Sequence, residues 1–514
     1  LNREFLLNAV FLVLVNLLIK PFYVFGIERT VQERVGTEQY GLYATLYSFA
    51  YLLFMVNDFG IHYFNSRTVA RHPQLAAKLF PNTLIVKGLL AGLYLVLVLV
   101  AAQVRGFEPA VWGLLLFVAL NHVLISMVAW LRSNVSGLGM YRTDSFLSTF
   151  DKILLIVVCA MLLWSGIPSG SSPSVDDKFP IEWFVHAQNL AWALTAAVAF
   201  FIVYKNLPKP IRWRPNWALV LFILKKSAPY ALAVFLMTAY IRMDIVLLEY
   251  LTGAEGRHEA GVYAAAYRLL DALNMAGYLF AGLLLPMFSS LLRTSGQSRG
   301  VGISSAIPNP EESGQVPKSE IQSLLRLSFQ LILAGTITIA VACFTFRTEL
   351  MLAIYPKEGT PYHGEVLAWV ILTLIPFSGA FIYTTLLTAN DSLKKMNRIF
   401  LAAIVVNVVL NLLLIPQLKA VGAGMSAFFT QGFVMAGMMV LAKKELPLPF
   451  ELRQFYKIAA FVSLVCFANW ALLQLTGIGW LLKFCAAIAI GLLLAFLLRM
   501  ISLKSMLGLL KKQV

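Results

Sequence analysis

Apolar residues in this chain fall into long runs separated by short polar stretches. The runs lie at 5–27, 40–64, 82–104, 109–133, 148–167, 181–205, 226–250, 260–290, 325–345, 364–390, 397–416, 420–443, 454–475 and 479–503. About 20 consecutive apolar residues cross the hydrocarbon core of a bilayer as a helix, and each run is close to that length. Barrel strands would instead alternate apolar and polar positions over about 10 residues, a pattern not seen here. In lipid a segment must satisfy its own backbone hydrogen bonds, so the pattern predicts an all-α integral membrane protein of about 14 transmembrane helices.

The runs are not independent of one another. Gly36, Gly41, Tyr43, Ala44 and Tyr47, at the start of the second run, recur as Gly256, Gly261, Tyr263, Ala264 and Tyr267 at the start of the eighth. Leu131, Asn134 and Ser136 recur in the tenth run and just beyond it as Leu387, Asn390 and Ser392, at a longer spacing that the polar stretch 291–325 absorbs. Two copies of one six-helix bundle follow: an N-terminal lobe over 1–215 and a C-terminal lobe over 216–445, which carries the flexible linker 291–325. Helices 13 and 14 with a tail, 446–514, stand outside the repeat. Repeats of this kind put a substrate path between the halves, the arrangement of a transporter working by alternating access. The glycines of the linker lack the Gly-Lys-Ser/Thr continuation of a phosphate-binding loop, so no ATPase is encoded there.

Of the 514 residues 59% are hydrophobic and 13% charged, which leaves no room for a soluble domain. The net charge of +16 points first to nucleic acid. Position decides otherwise: most Lys and Arg residues fall at the termini and in even-numbered loops. That is the positive-inside pattern, with both termini cytoplasmic and basic residues set against anionic lipid headgroups. Cys159, Cys343, Cys466 and Cys485 show no metal-ligand spacing, and no metal or cofactor is expected. The first run is too long for a signal-peptide core and reads as a retained helix.

Polar groups inside the runs are the candidate site residues, because a lone charge at a helix centre costs roughly 2.5–3.5 kcal/mol on insertion scales. Asn8, Asn16 and Lys20 share one face of helix 1, ahead of Pro21. Arg242 and Asp244 lie in helix 7, two apart and therefore not facing each other, and Arg268 and Asp271 lie three apart in helix 8. Asp58 precedes His62 by one turn in helix 2, and Lys87 lies in helix 3. Lys20, Arg242, Arg268 and Asn16 form the expected substrate-binding set; Asp58, Asp244, Asp271 and Lys87 are the expected gate or coupling groups. A path leaning cationic suits an anionic or diphosphate-bearing substrate, since guanidinium matches phosphate.

The run Gly36-Thr-Glu-Gln-Tyr-Gly-Leu-Tyr43, its echo Ala260-Gly-Val-Tyr-Ala-Ala-Ala-Tyr267, the Asp58-Phe-Gly60 turn and the helix layout resemble the polysaccharide transporter family of the multidrug/oligosaccharidyl-lipid/polysaccharide exporter superfamily, the O-antigen-type flippases of lipid-linked oligosaccharides. The resemblance implies two six-helix lobes around a central cavity in a bacterial inner membrane. It also implies an undecaprenyl-diphosphate-linked glycan as cargo for surface polysaccharide such as lipopolysaccharide, and no enzymatic step. Lys20, Arg242 and Arg268 would neutralise the diphosphate, and a proton or sodium gradient is a candidate drive. Membrane lipids and other polysaccharide-assembly membrane proteins are the candidate partners, and nucleic acid is not. The competing reading is an ion-coupled drug or metabolite exporter of the same fold. A glycan polymerase or polyprenol-dependent glycosyltransferase would leave the repeat unexplained.

The charge pattern generates a topology prediction. With the native cysteines removed, Ser304→Cys should react with an impermeant maleimide only from the cytoplasmic side and Asp176→Cys only from outside; labelling on the opposite sides would overturn the predicted orientation.

Overall fold

In the computed structural model the described residues are 19, 22–71, 73–164, 179–208, 216–294, 318–446 and 452–500. Lys20 and Asn16 lie outside them, as does most of the 291–325 linker. Secondary structure among these residues is helical. A π-helical stretch, Tyr23–Glu28, runs into α1 (Arg29–Val35), followed by α2 (Thr37–Leu52), α3 (Phe54–Asp58), α4 (Ile61–Arg71), α5 (Ala76–Arg105), α6 (Trp112–Gly137), α7 (Tyr141–Trp164), α8 (Ile181–Asn206) and α9 (Trp217–Leu251). The second part contains α10 (Gly256–Thr294), α11 (Lys318–Thr345), α12 (Arg347–Ile354), α13 (Pro361–Leu372), α14 (Leu374–Ala389), α15 (Leu393–Glu445), α16 (Leu452–Gln474) and α17 (Trp480–Leu497).

Several predicted spans are interrupted helices. The second run divides into α2, α3 and α4, because Phe59 and Gly60 both take left-handed backbone angles, φ 48° and 66°. The tenth divides between α13 and α14. The eleventh and twelfth runs form the two arms of α15, bent at Lys419, whose φ of 50° and ψ of −128° lie outside the helical region. Asn407 holds the arms together: its Nδ2 donates to Thr430 Oγ1 at 3.3 Å, and Ser426 Oγ donates to its carbonyl at 3.3 Å. Such amides join helices in a solvent that offers them no water.

The apolar solvent shapes each helix differently from a soluble protein. In α5 the outward stripe Leu89, Leu93, Val96, Val100 and Val104 is exposed, while Val86, Lys87, Leu90, Tyr94, Val98 and Ala102 are buried. Both faces are largely apolar, and in the middle of the helix the charged Lys87 sits on the buried one. Among the described residues, nine helical stretches are long and apolar enough to cross a membrane, and that number counts the two-armed α15 once.

The chain divides into two compact units, 1–264 and 265–514. The repeat divides it at a different place, between 215 and 216: repeats mark equivalent sequence, whereas units mark what packs together. In the first unit α6 and α8 make the broadest contact, and α9 packs along α2, α3, α4 and α5. In the second unit α14 packs on α15, and α11 packs on α13, α14, α16 and α17. The closing pair α16 and α17, which no repeat accounts for, docks on α11. Phe346 meets Phe484 edge to face at 6.1 Å, and Gly491 lies where a Cβ would collide with Thr338.

The repeated glycines meet each other inside the first unit. A Cβ on Gly41 would overlap the Arg257 carbonyl and lie 2.7 Å from Gly261 N; a Cβ on Gly261 would overlap the Thr37 carbonyl. Arg257 stands in the second copy where Thr37 stands in the first, so the contact is reciprocal about a local two-fold. Small residues are what let two backbones approach this closely.

Gly41→Ala or Gly261→Ala should therefore lower thermal stability in detergent, at a cost on the order of 1–3 kcal/mol or more for overpacking. Gly92→Ala, where a Cβ meets nothing within 4 Å, should be neutral or stabilising. Equal melting of all three variants would refute the close contact.

Candidate functional site

The break in the second span creates a polar buried site in the first unit. Helix α3 ends at Asp58, and the left-handed Phe59 and Gly60 turn the chain so that Gly60 N–H donates to Asp58 Oδ2 at 3.1 Å. At the second residue of α4, four on from Asp58, His62 Nδ1 reaches the same oxygen at 2.9 Å, as that spacing predicts. Lys87 on α5 lies 3.4 Å from Asp58 Oδ1, and Ser126 on α6 donates to that oxygen at 3.3 Å. Lys87 also donates to Ser126 Oγ and to the Asn57 carbonyl. Asp58 is 1% exposed and Lys87 3%, so these charges are hidden and hold one another.

This pairing decides what the two groups can do. Either charge alone would carry the insertion cost given above, and together they cancel it while their hydrogen bonds fill the remaining valences. The sequence placed Asp58 and His62 on one face and marked Lys87 as a candidate gate group, but spacing gave no sign that Lys87 and Ser126, on helices distant in the chain, would meet Asp58.

A second group surrounds Arg242 on α9. Its guanidinium lies 5.6 Å from the centre of the Tyr51 ring, a cation–π contact, and the residue is only partly buried. Asp244, two residues on, is buried and accepts from Tyr263 Oη at 3.3 Å. The two charged groups of this helix thus engage different neighbours, as their spacing requires. Tyr263 is the repeat equivalent of Tyr43, whose hydroxyl pairs with Gln188 at 3.2 Å.

Next to Arg242, His122 on α6 is fully buried. Its Nδ1 donates to the Val118 carbonyl at 2.9 Å, which makes Nδ1 the protonated nitrogen and Nε2 an acceptor, and Nε2 has no hydrogen-bond partner among the described residues. The ring centre is 4.5 Å from that of Tyr47, 5.3 Å from Tyr51 and 6.0 Å from Phe54.

At the ends of α5 and α9, Arg105 Nη2 and Glu249 Oε2 pair at 2.6 Å, with the Arg105 guanidinium 4.3 Å from the Tyr250 ring centre. This pair is absent from the sequence reading. Its signal was faint: Arg105 ends an apolar run and reads as an interfacial anchor.

In the second unit, Arg268 on α10 is buried, and its Nη1 donates to Tyr355 Oη at 3.1 Å. Asp271 is exposed. The partner Tyr355 follows α12 and could not be found by spacing along α10. Among the described residues no group of three His, Cys, Asp or Glu side chains is placed to hold a metal ion.

Comparison with known proteins bears on the fold and the family. A solved structure described as the lipid II flippase MurJ, in an inward closed conformation, superposes with a TM-score of 0.65 at 12% identity, covering 95% of this chain and 98% of that one. An inward-facing multidrug resistance MATE family transporter of the MOP superfamily gives a TM-score of 0.62 at 13% identity, covering 82% and 94%. The Vibrio cholerae MATE transporter VcmN in its bent form gives 0.52 at 13%, covering 86% and 98%. At these identities the likeness establishes the fold, which is that of a multi-pass all-α membrane protein. No curated protein matches the chain by sequence. The family model for polysaccharide biosynthesis proteins matches residues 5–292, more than half the chain, and the chain belongs to that family.

The buried pair generates a stability prediction. Lys87→Met and Asp58→Asn should each destabilise the protein by about 3–5 kcal/mol, because each strands the other polar group, and the double variant should recover much of that loss. Thermal unfolding in detergent measures it, and additive losses would show that the two groups are not coupled.

Proposed function

We propose that the chain is a flippase that carries an undecaprenyl-diphosphate-linked oligosaccharide from the cytoplasmic to the outer leaflet of a bacterial inner membrane, by alternating access, for assembly of surface polysaccharide of the O-antigen or lipopolysaccharide type. The observation that carries this reading is Arg242, a partly buried guanidinium inside an apolar helix of a polysaccharide biosynthesis protein. A planar cation of this kind matches a diphosphate, which must shed water to cross the membrane while the polyprenyl tail stays in lipid. Arg268, Lys20 and Asn16 join it as the other substrate-binding groups of the same proposal.

Ion coupling belongs to the proposal as well. Asp58, Asp244 and Asp271 are its carboxylates, with Lys87 as the counter-ion of Asp58. Both termini are cytoplasmic in this reading, and membrane proteins of polysaccharide assembly are the proposed partners. The alternative is an ion-coupled drug or metabolite exporter, which the MATE-like fold favours. Such an exporter for organic cations needs an available acid, and Asp58 already has Lys87 against it.

Reconstituted in proteoliposomes, the native protein should expose a fluorescent undecaprenyl-diphosphate oligosaccharide at the far leaflet. Arg242→Ala should abolish exposure with folding intact, and Arg242→Lys should keep part of it. Lack of exposure by the native protein, with several glycans and imposed proton and sodium gradients, would favour the exporter.

A further inference from the structure

The aromatic residues of α2 and α3 form a continuous ladder. Tyr40 and Tyr43 meet at 5.4 Å between ring centres, Tyr43 and Tyr47 at 5.9 Å, Tyr47 and Tyr51 at 6.1 Å, and Tyr51 and Phe54 at 4.9 Å. The spacing of three and four residues keeps all five on one helical face. The ladder changes character along its length. Tyr40 and Tyr43 are buried, lie edge to face with each other, and spend their hydroxyls on Glu28 and Gln188. Tyr47 and Tyr51 are partly exposed and nearly parallel, at 12°, and Tyr51 and Phe54 at 4°.

Three features coincide at the parallel end. A partly exposed pair of near-parallel rings is present, a guanidinium stands over one of them, and a fully buried imidazole ring lies against both, its Nε2 without a hydrogen-bond partner among the described residues. A structural aromatic cluster has no use for an unpaired acceptor, which costs about 1–3 kcal/mol when buried. A lipid-facing surface has no use for the guanidinium. A pyranose ring attached to a diphosphate uses all three: its C–H face lies on an aromatic ring, its hydroxyls need acceptors, and the phosphate joined to its first carbon needs a cation within one sugar's reach.

We propose that Tyr47 and Tyr51 are a stacking platform for the first sugar of the cargo, with Arg242 holding the adjoining diphosphate and His122 Nε2 accepting a sugar hydroxyl. Phe54 backs the platform through its parallel contact with Tyr51. This subsite rests on the flippase reading and deepens it, because it assigns recognition of the glycan as well as of the phosphate. Recognition by stacking is tolerant of sugar identity, since every pyranose has a C–H face, while the hydroxyl accepted by His122 adds orientation.

The test is binding to the full-length protein in nanodiscs of undecaprenyl diphosphate, alone or carrying one glucose or one N-acetylglucosamine. The native protein should bind the sugar-bearing lipids about tenfold more tightly than the bare diphosphate, the scale of one or two aromatic contacts. Tyr47→Leu/Tyr51→Leu should bind all three at the bare-lipid affinity, while Tyr47→Phe/Tyr51→Phe should keep most of the preference, which separates a lost π face from a damaged fold. Arg242→Gln should weaken all three together. Retention of the sugar preference by the leucine pair, or no preference in the native protein while all three lipids bind, would overturn the platform and leave the flippase reading standing. Failure of the native protein to bind any of the three would overturn both.

Discussion

The constraint on which this structure depends is the cost of an unsatisfied polar group in hydrocarbon. It forces every backbone amide into a helix, and it sorts side chains by whether they can find a partner. The outward stripe of α5 is leucine and valine, while Lys87 on its buried face meets Asp58, Ser126 and the Asn57 carbonyl. Where the second span is broken, a freed group is collected locally: the left-handed turn at Phe59 and Gly60 hands its amide to Asp58. Irregular backbone is tolerated at such depth only when it is enclosed by protein in this way.

The same constraint explains why polar positions were so informative in the sequence. Run length is a local quantity, and it was enough to indicate the all-α membrane class of the fold. The spacing of Asp58 and His62 is also local, and the structure joins those two groups. The Lys87 and Ser126 contacts depend on how α3, α5 and α6 pack, which no spacing encodes. Tyr355 against Arg268 and Glu249 against Arg105 are of the same kind. The aromatic ladder lay in plain view at three- and four-residue spacing. Aromatic residues at that spacing usually signal only a buried face, and the meaning of these depends on Arg242 and His122 from other helices.

Two sorts of polar contact can therefore be separated. Asp58 with Lys87 and Ser126 is a set in which donors and acceptors answer one another. The His122 ring lies against Tyr47 and Tyr51, its Nε2 has no hydrogen-bond partner among the described residues, and an open valence in a low-dielectric site is one a ligand can fill.

The reciprocal meeting of Gly41 with Arg257 and of Gly261 with Thr37 has a historical consequence. A contact between equivalent positions about a two-fold is what two identical subunits make, where one codon writes both sides and any change is felt twice. Once the copies are fused in a single gene, each glycine is inherited separately. The fused chain can then tune one side of the joint while holding the other fixed, a freedom that a homodimer never has.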